Sequence, residues 1–271
     1  MTATLDRMAD EILEDPLAGA AAFDALIDQA LDELHACYGH PVYEGHPLRK
    51  NRVVDLARAY QDSGAPRADH LTLLVDRAMD VKLQLYLTSM VTPALLNVHC
   101  WGPVGEDPGL GNSAKLTLIE LSLRQDLIVK SRILWERIMG LIYFIETGKP
   151  DLPKTSSKST KAAFFKMCSA TPRWKWVAAY EPMVTEYDQA YRTPEVHKRS
   201  FLRAKLVNDV DDGDLDTKLL QPLNDAMNQI WDNVLSIVKG GGVVSLGRVH
   251  VTFDEHGRPT GGEEWHWEPP A

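Results

Sequence analysis

Nothing limits the architecture of this chain more than the run from about residue 113 to 147, through IELSLRQDLIVKSRILWERIMGLIYFIETG. Its apolar positions Leu116, Ile119, Leu123, Leu127, Leu134, Met139, Ile142 and Ile145 recur at helical steps but wander around the cylinder. A helix with one apolar stripe lies on a surface, whereas one apolar over most of its circumference needs cover from several sides. The run therefore predicts the spine of a helical bundle and its most buried element. Asn112 supplies an N-cap, and Gly148 followed by Pro150 supplies a stop.

Further helices are predicted at about 4–15, 18–38, 49–62, 67–98, 160–169, 172–191 and 215–238. Pro16 should close the first, Pro93 should kink or end the fourth, and Pro182 should kink or split the segment 172–191. In that segment Trp174, Val177, Tyr180, Val184, Tyr187 and Tyr191 recur at three- and four-residue steps, which reads as a core stripe and not as a stacking platform for bases. Thr193 and Pro194 then mark a new helix start, threonine as N-cap and proline at the first helical position. The tail RVHVTFDEHGRPTGGEEWHWE alternates around a glycine and proline turn, as a β-hairpin does. The expected fold class is all-α, a helical bundle with an N-terminal helical extension and a short C-terminal β-hairpin. The boundaries fall at 1–111, 112–239 and 240–271.

Composition excludes several functional classes. Hydrophobic residues at 44% and charged residues at 25% of 271 suit an ordinary globular chain. Cys37, Cys100 and Cys168 are far apart and show no C-x-x-C spacing, so neither a disulfide framework nor a cysteine zinc site is expected. The acidic, amphipathic N-terminus does not resemble a signal peptide, and polar residues interrupt every apolar run, so no membrane span is expected and the expected location is cytoplasmic. His40 and His46 fall in a Gly-Pro loop, and His250, His256 and His266 in the tail; neither set has metal-ligand spacing, so no metal or cofactor is expected.

The net charge of −9 is unevenly spread. Lys149 to Lys205 hold 12 basic and 5 acidic residues, while 1–148 and 206–271 sum to −8 each. A phosphate backbone is attracted to such a basic segment and repelled by its flanks. The loop 149–162 is polar and cationic by composition, which leaves its lysines, Lys158 and Lys161 among them, able to reach a phosphate. An acidic linker, Asn208 to Asp216, and the tail are candidate contacts for a protein partner.

Within the basic segment Arg192 and His197 form R-x4-H, the one place where an arginine precedes a histidine by five to seven residues. Metal-independent RNA cleavage needs a group that takes the 2′-hydroxyl proton, a group that protonates the leaving oxygen, and positive charge on the phosphate. Histidine and arginine supply these. Lys198, Arg199, Arg203 and Lys205 extend the positive surface.

The segments SRILWERIMGLIYFIETGK, SSKSTKAAFFK and YDQAYRTPEVHKRSFLR, in that order, resemble a bacterial HEPN-like family over about residues 115–205. The resemblance implies an all-α bundle paired into a homodimer, two R-x4-6-H motifs facing one cleft, and RNase activity without metal. It assigns the catalytic roles to Arg192 and His197, while the local positive charge gives RNA contact to Lys158, Lys161, Lys198, Arg199 and Arg203. A noncatalytic RNA- or protein-binding module is the alternative within the same family. Thr193 stands where the family carries Asn, Asp or His, and Arg199 stands where its toxin branch carries a tyrosine.

Overall fold

The computed structural model describes residues 14–38, 52–64, 68–96, 110–152, 160–193, 221–243, 247–253 and 259–266. These are mostly helical. In order they form α1 (Pro16–Tyr38), α2 (Arg52–Asp62), α3 (Ala68–Leu96), α4 (Leu110–Thr147) and α5 (Thr160–Ala170). After a 3₁₀ turn at Pro172–Trp174 come α6 (Lys175–Ala178), α7 (Glu181–Tyr187), a π turn at Asp188–Arg192, and α8 (Gln221–Val238). The backbone of β1 (Gly247–Phe253) pairs antiparallel with β2 (Pro259–His266), Gly247 opposite His266, with an irregularity between Thr252 and Phe253. No helix among the described residues is long and apolar enough to cross a membrane.

The helix α4 is 38 residues long, and from Leu134 to Ile145 only Glu136 and Arg137 are exposed. It begins at Leu110, so Asn112 lies inside the first turn and not at the expected N-cap. Its end follows expectation: Gly148 takes φ +66 and donates its N–H to Phe144 O at 2.8 Å, the left-handed closure that satisfies an orphan carbonyl. The long apolar run of α3 continues to Leu96, past Pro93. That proline lacks one N–H near the end of the helix, which costs a single ladder bond and does not stop the chain.

Glu14 is helical and Asp15 is not, so the preceding helix closes before Pro16 as expected, and Pro16 itself opens α1. Asp15 Oδ1 accepts the N–H groups of Leu17 at 3.0 Å and Ala18 at 3.2 Å, and proline suits the first helical position because its N–H would be orphaned there. At the other end of the chain α8 closes in a Schellman arrangement. Gly240 (φ +78) donates to Ile237 O at 3.0 Å and Gly241 to Ser236 O at 2.8 Å.

One core spans residues from Ala20 to Ile237, so the described parts of 1–111 and of 112–239 pack together. Two polar links tie the N-terminal helices into it. Asp24 on α1 is fully buried; its Oδ2 accepts the first N–H groups of α2 from Val53 and Val54, each at 3.1 Å, and its Oδ1 meets the ammonium of the fully buried Lys82 on α3. A carboxylate at a helix N-terminus answers both the orphan donors and the dipole. Arg52 then joins α2 to α8 through Asp232, with 3.0 Å contacts to its backbone oxygen and its carboxylate.

The glycine closures give a stability test. A Cβ at Gly240 meets nothing within 4 Å, so Gly240→Ala pays only the left-handed backbone penalty, roughly 1–2 kcal/mol. A Cβ at Gly148 sits 3.2 Å from His70 Cε1, whose ring packs at 5.7 Å on Phe144. Gly148→Ala is therefore expected to lower the urea midpoint further than Gly240→Ala, and equal midpoints would contradict the assigned contact.

Candidate nucleic-acid interface

The aromatic stripe is core, as its spacing implies: Trp174, Val177, Tyr180, Val184, Tyr187 and Tyr191 are all buried. The backbone beneath it is not one helix. It turns at Ala179 and Tyr180 and restarts at Glu181 with Pro182 in the first turn, because Pro182 has no N–H to continue the ladder. Trp174 Nε1 and Arg173 Nε both donate to Glu146 Oε2, at 3.0 and 2.7 Å, anchoring the start of the segment on the end of α4. The Tyr187 hydroxyl donates to Ile128 O, anchoring its far end on the middle of α4. The rings of Tyr187 and Tyr191 stack 6.0 Å apart.

At that far end the helix widens. Thr193 N–H bonds back to Asp188 O, and Thr193 keeps helical dihedrals of φ −67 and ψ −45. The expected break at Thr193 is therefore absent: an N-cap takes extended backbone, and here the wide turn carries the helical course through Arg192 and Thr193. Arg192 lies one turn after Asp188, on the same side.

The Asp188 carboxylate bridges two other helices. Its Oδ2 lies 2.8 Å from Lys161 Nζ on α5, and its Oδ1 lies 3.4 Å from Arg132 Nε on α4. The three side chains are 14–16% exposed, so the network is screened far less than a surface ion pair. Arg132 Nη2 also reaches Glu136 at 3.0 Å. Lys161, expected to reach out to a phosphate, is thus directed inward onto Asp188. Arg192 differs from both: it is half-buried and has no hydrogen bond or ion pair with another described residue. Burial raises the Tyr187 phenol well above its ordinary value of 10.0 and Asp188 adds to this, while the nearby charges of Arg132 and Arg192 oppose it. Tyr187 is accordingly no acid or base near neutral pH.

His197, Lys198, Arg199, Arg203 and Lys158 lie outside the described residues, as do Lys205, the linker 208–216 and His40, His46 and His256. Sequence reasoning missed Arg132 and Asp188. Asp188 stands four residues before Arg192, a helical neighbour, which was the available signal for it; Arg132 is one of several charges in its run and nothing there singled it out.

A cleft of about 540 Å³ between α3, α4 and residues 150–152 is lined by Arg77 and Arg137 against Asp80, Glu136 and Asp151, with Arg137 already 2.7 Å from Asp80. That surplus of carboxylate repels phosphate. Cys168 is buried on α5, and burial, helped by Glu146, pushes its thiol up to about 12, so it is no nucleophile near neutral pH.

The chain matches no family model, no curated protein and no solved structure.

Proposed function

We propose that the chain is a metal-independent endoribonuclease of HEPN-like type, acting as a homodimer in a bacterial defence or toxin-antitoxin setting. The observation that carries this reading is the contrast among the three described cations at the end of the aromatic stripe. Lys161 and Arg132 are paired with Asp188 and, for Arg132, with Glu136 as well, whereas Arg192, the arginine of R-x4-H, is half-exposed with no anion of its own among the described residues. A guanidinium left without an internal partner suits an external phosphate, which it binds in a planar fork.

In the proposed reaction His197 takes the proton of a ribose 2′-hydroxyl, and the resulting oxygen attacks the adjacent phosphorus. The bond from phosphorus to the 5′-oxygen breaks, and the histidine of the second copy protonates that oxygen. Arg192 stabilises the extra negative charge on the phosphate in the transition state. The products are a 2′,3′-cyclic phosphate and a 5′-hydroxyl. Lys158, Lys198, Arg199 and Arg203 would hold the flanking backbone.

Purified protein in a metal chelator is expected to cut single-stranded RNA, leave cyclic phosphate or 3′-phosphate ends, and leave DNA of the same sequence intact. A strict magnesium requirement, or a monomer by light scattering at micromolar concentration, would count against the mechanism. Binding of RNA or of a protein partner without cleavage would support the noncatalytic HEPN-like module, with the acidic linker or the tail as the partner contact.

A further inference from the structure

We infer that Asp188 is a positioning residue for Arg192, held as a clamp between Lys161 and Arg132, and that Lys161 serves the site through Asp188 and not by touching RNA. The inference rests on the proposed nuclease reading for its purpose, and on geometry for its content. The wide turn Asp188–Arg192 begins at the clamped residue and ends at the uncommitted arginine. Its closing bond runs from Thr193 N–H to Asp188 O, so the backbone that carries Arg192 is tied directly to the residue whose carboxylate is fixed.

Wide π turns are rare and recur at functional sites, where the groups packed around the turn hold its backbone. Here the fixing groups come from two other helices. Lys161 approaches from α5 at 2.8 Å and Arg132 from α4 at 3.4 Å, one on each carboxylate oxygen. Behind the turn, the Tyr187 hydroxyl on Ile128 O and the Tyr191 ring on Tyr187 hold the buried side. Among the described residues, the front is held by the Asp188 carboxylate. Without it the Nε atom of Arg132, which like Nη1 is buried and without a hydrogen-bond acceptor among the described residues, would lose the carboxylate 3.4 Å away.

The clamp also explains why three cations stand together without repelling one another apart. Asp188 between Lys161 and Arg132, with Glu136 on Arg132, balances their two charges, so that Arg192 is the cation of the three left for an arriving phosphate.

The test compares full-length wild type with Asp188→Asn, Lys161→Gln and Lys161→Arg in two measurements. In hydrogen-deuterium exchange, Asp188→Asn, which keeps size and removes charge, is expected to speed exchange of the 188–193 amides about tenfold. Amides of α8 should keep their wild-type rates. Lys161→Gln should act in the same direction, and Lys161→Arg, which returns a cation to Asp188, should restore protection. In RNA cleavage, Asp188→Asn should lower kcat about tenfold with KM changed less than about twofold, since Asp188 does not touch RNA. Unchanged exchange at 188–193 in both Asp188→Asn and Lys161→Gln overturns the clamp. Altered exchange with unchanged kcat overturns the positioning role, as does a rise in KM alone. Should Asp188→Asn unfold the whole chain, the Lys161→Gln and Lys161→Arg pair decides by the same criteria. A wild-type protein that cuts no RNA defeats the nuclease reading and with it the role of the clamp in catalysis, while the exchange comparison still judges the clamp itself.

Discussion

His197→Ala is expected to lower RNA cleavage about a hundred- to ten-thousand-fold, the usual share of general acid-base catalysis. Arg192→Ala should lose about a hundred- to a thousandfold, as when a transition-state charge stabiliser is deleted. For Arg192 the loss must come with little change in stability: a half-buried side chain with no hydrogen bond or ion pair to another described residue gives the fold little to lose. Within about 0.5 kcal/mol of wild type is the expectation. Reversing Lys198 and Arg199 should act differently, weakening RNA binding and flattening its salt dependence with a smaller effect on the chemical step. Single-turnover cleavage in chelator, beside urea denaturation of each variant, separates these effects. Full activity in His197→Ala would defeat the mechanism. A large loss of stability in Arg192→Ala would move that residue from the site into the scaffold.

The largest expected effect on stability lies far from the candidate site, at Asp24. Asp24→Ala leaves the ammonium of Lys82 fully buried without its carboxylate and leaves Val53 and Val54 N–H without their acceptor. Removing one partner of a buried ion pair costs about 3–5 kcal/mol, a large part of the roughly 5–15 kcal/mol that holds a domain folded. Adding Lys82→Met should recover part of the loss, because the buried ammonium that has lost its carboxylate goes while the Val53 and Val54 N–H groups remain without theirs. Urea denaturation of the single and double variants measures this. A double variant no more stable than Asp24→Ala would show that the other contacts of Lys82 keep its ammonium satisfied without Asp24. The pair also has an acid signature. Burial raises the Asp24 carboxyl above its ordinary 3.8, with Lys82 and the two N–H groups pulling it back part of the way. The folded state therefore keeps this proton to a higher pH than the unfolded chain does, and the stability so contributed is lost as pH rises from about 3.8 through the folded value.

Much of the helical course was legible in the sequence because helix formation is local. The apolar periodicity of the 172–191 stripe anticipates six side chains that are all buried, and Leu223, Met227, Ile230, Val234 and Ile237 of α8 are buried as their spacing implies. The glycine closures at Gly148 and Gly240 were legible for the same reason, since a left-handed residue favours glycine whatever the surroundings. Signals that depend on one residue were weaker. Asn112 falls inside a helix, Pro93 fails to end one, and Thr193 fails to start one, because neighbouring turns outweigh a single cap or a single missing N–H.

By itself, then, the sequence determined that the chain would be helical around a buried spine, which follows from spacing within a few turns, and it offered Arg192 with His197 as a candidate pair from their chemistry and the basic segment around them. Only the tertiary structure decided which charges are available. It turned Lys161 inward onto Asp188, brought in Arg132 from a distant helix, and set Asp24 against Lys82 in the core. A charged side chain's partner depends on which helices pack together, and periodicity within one segment carries no information about the charge on another.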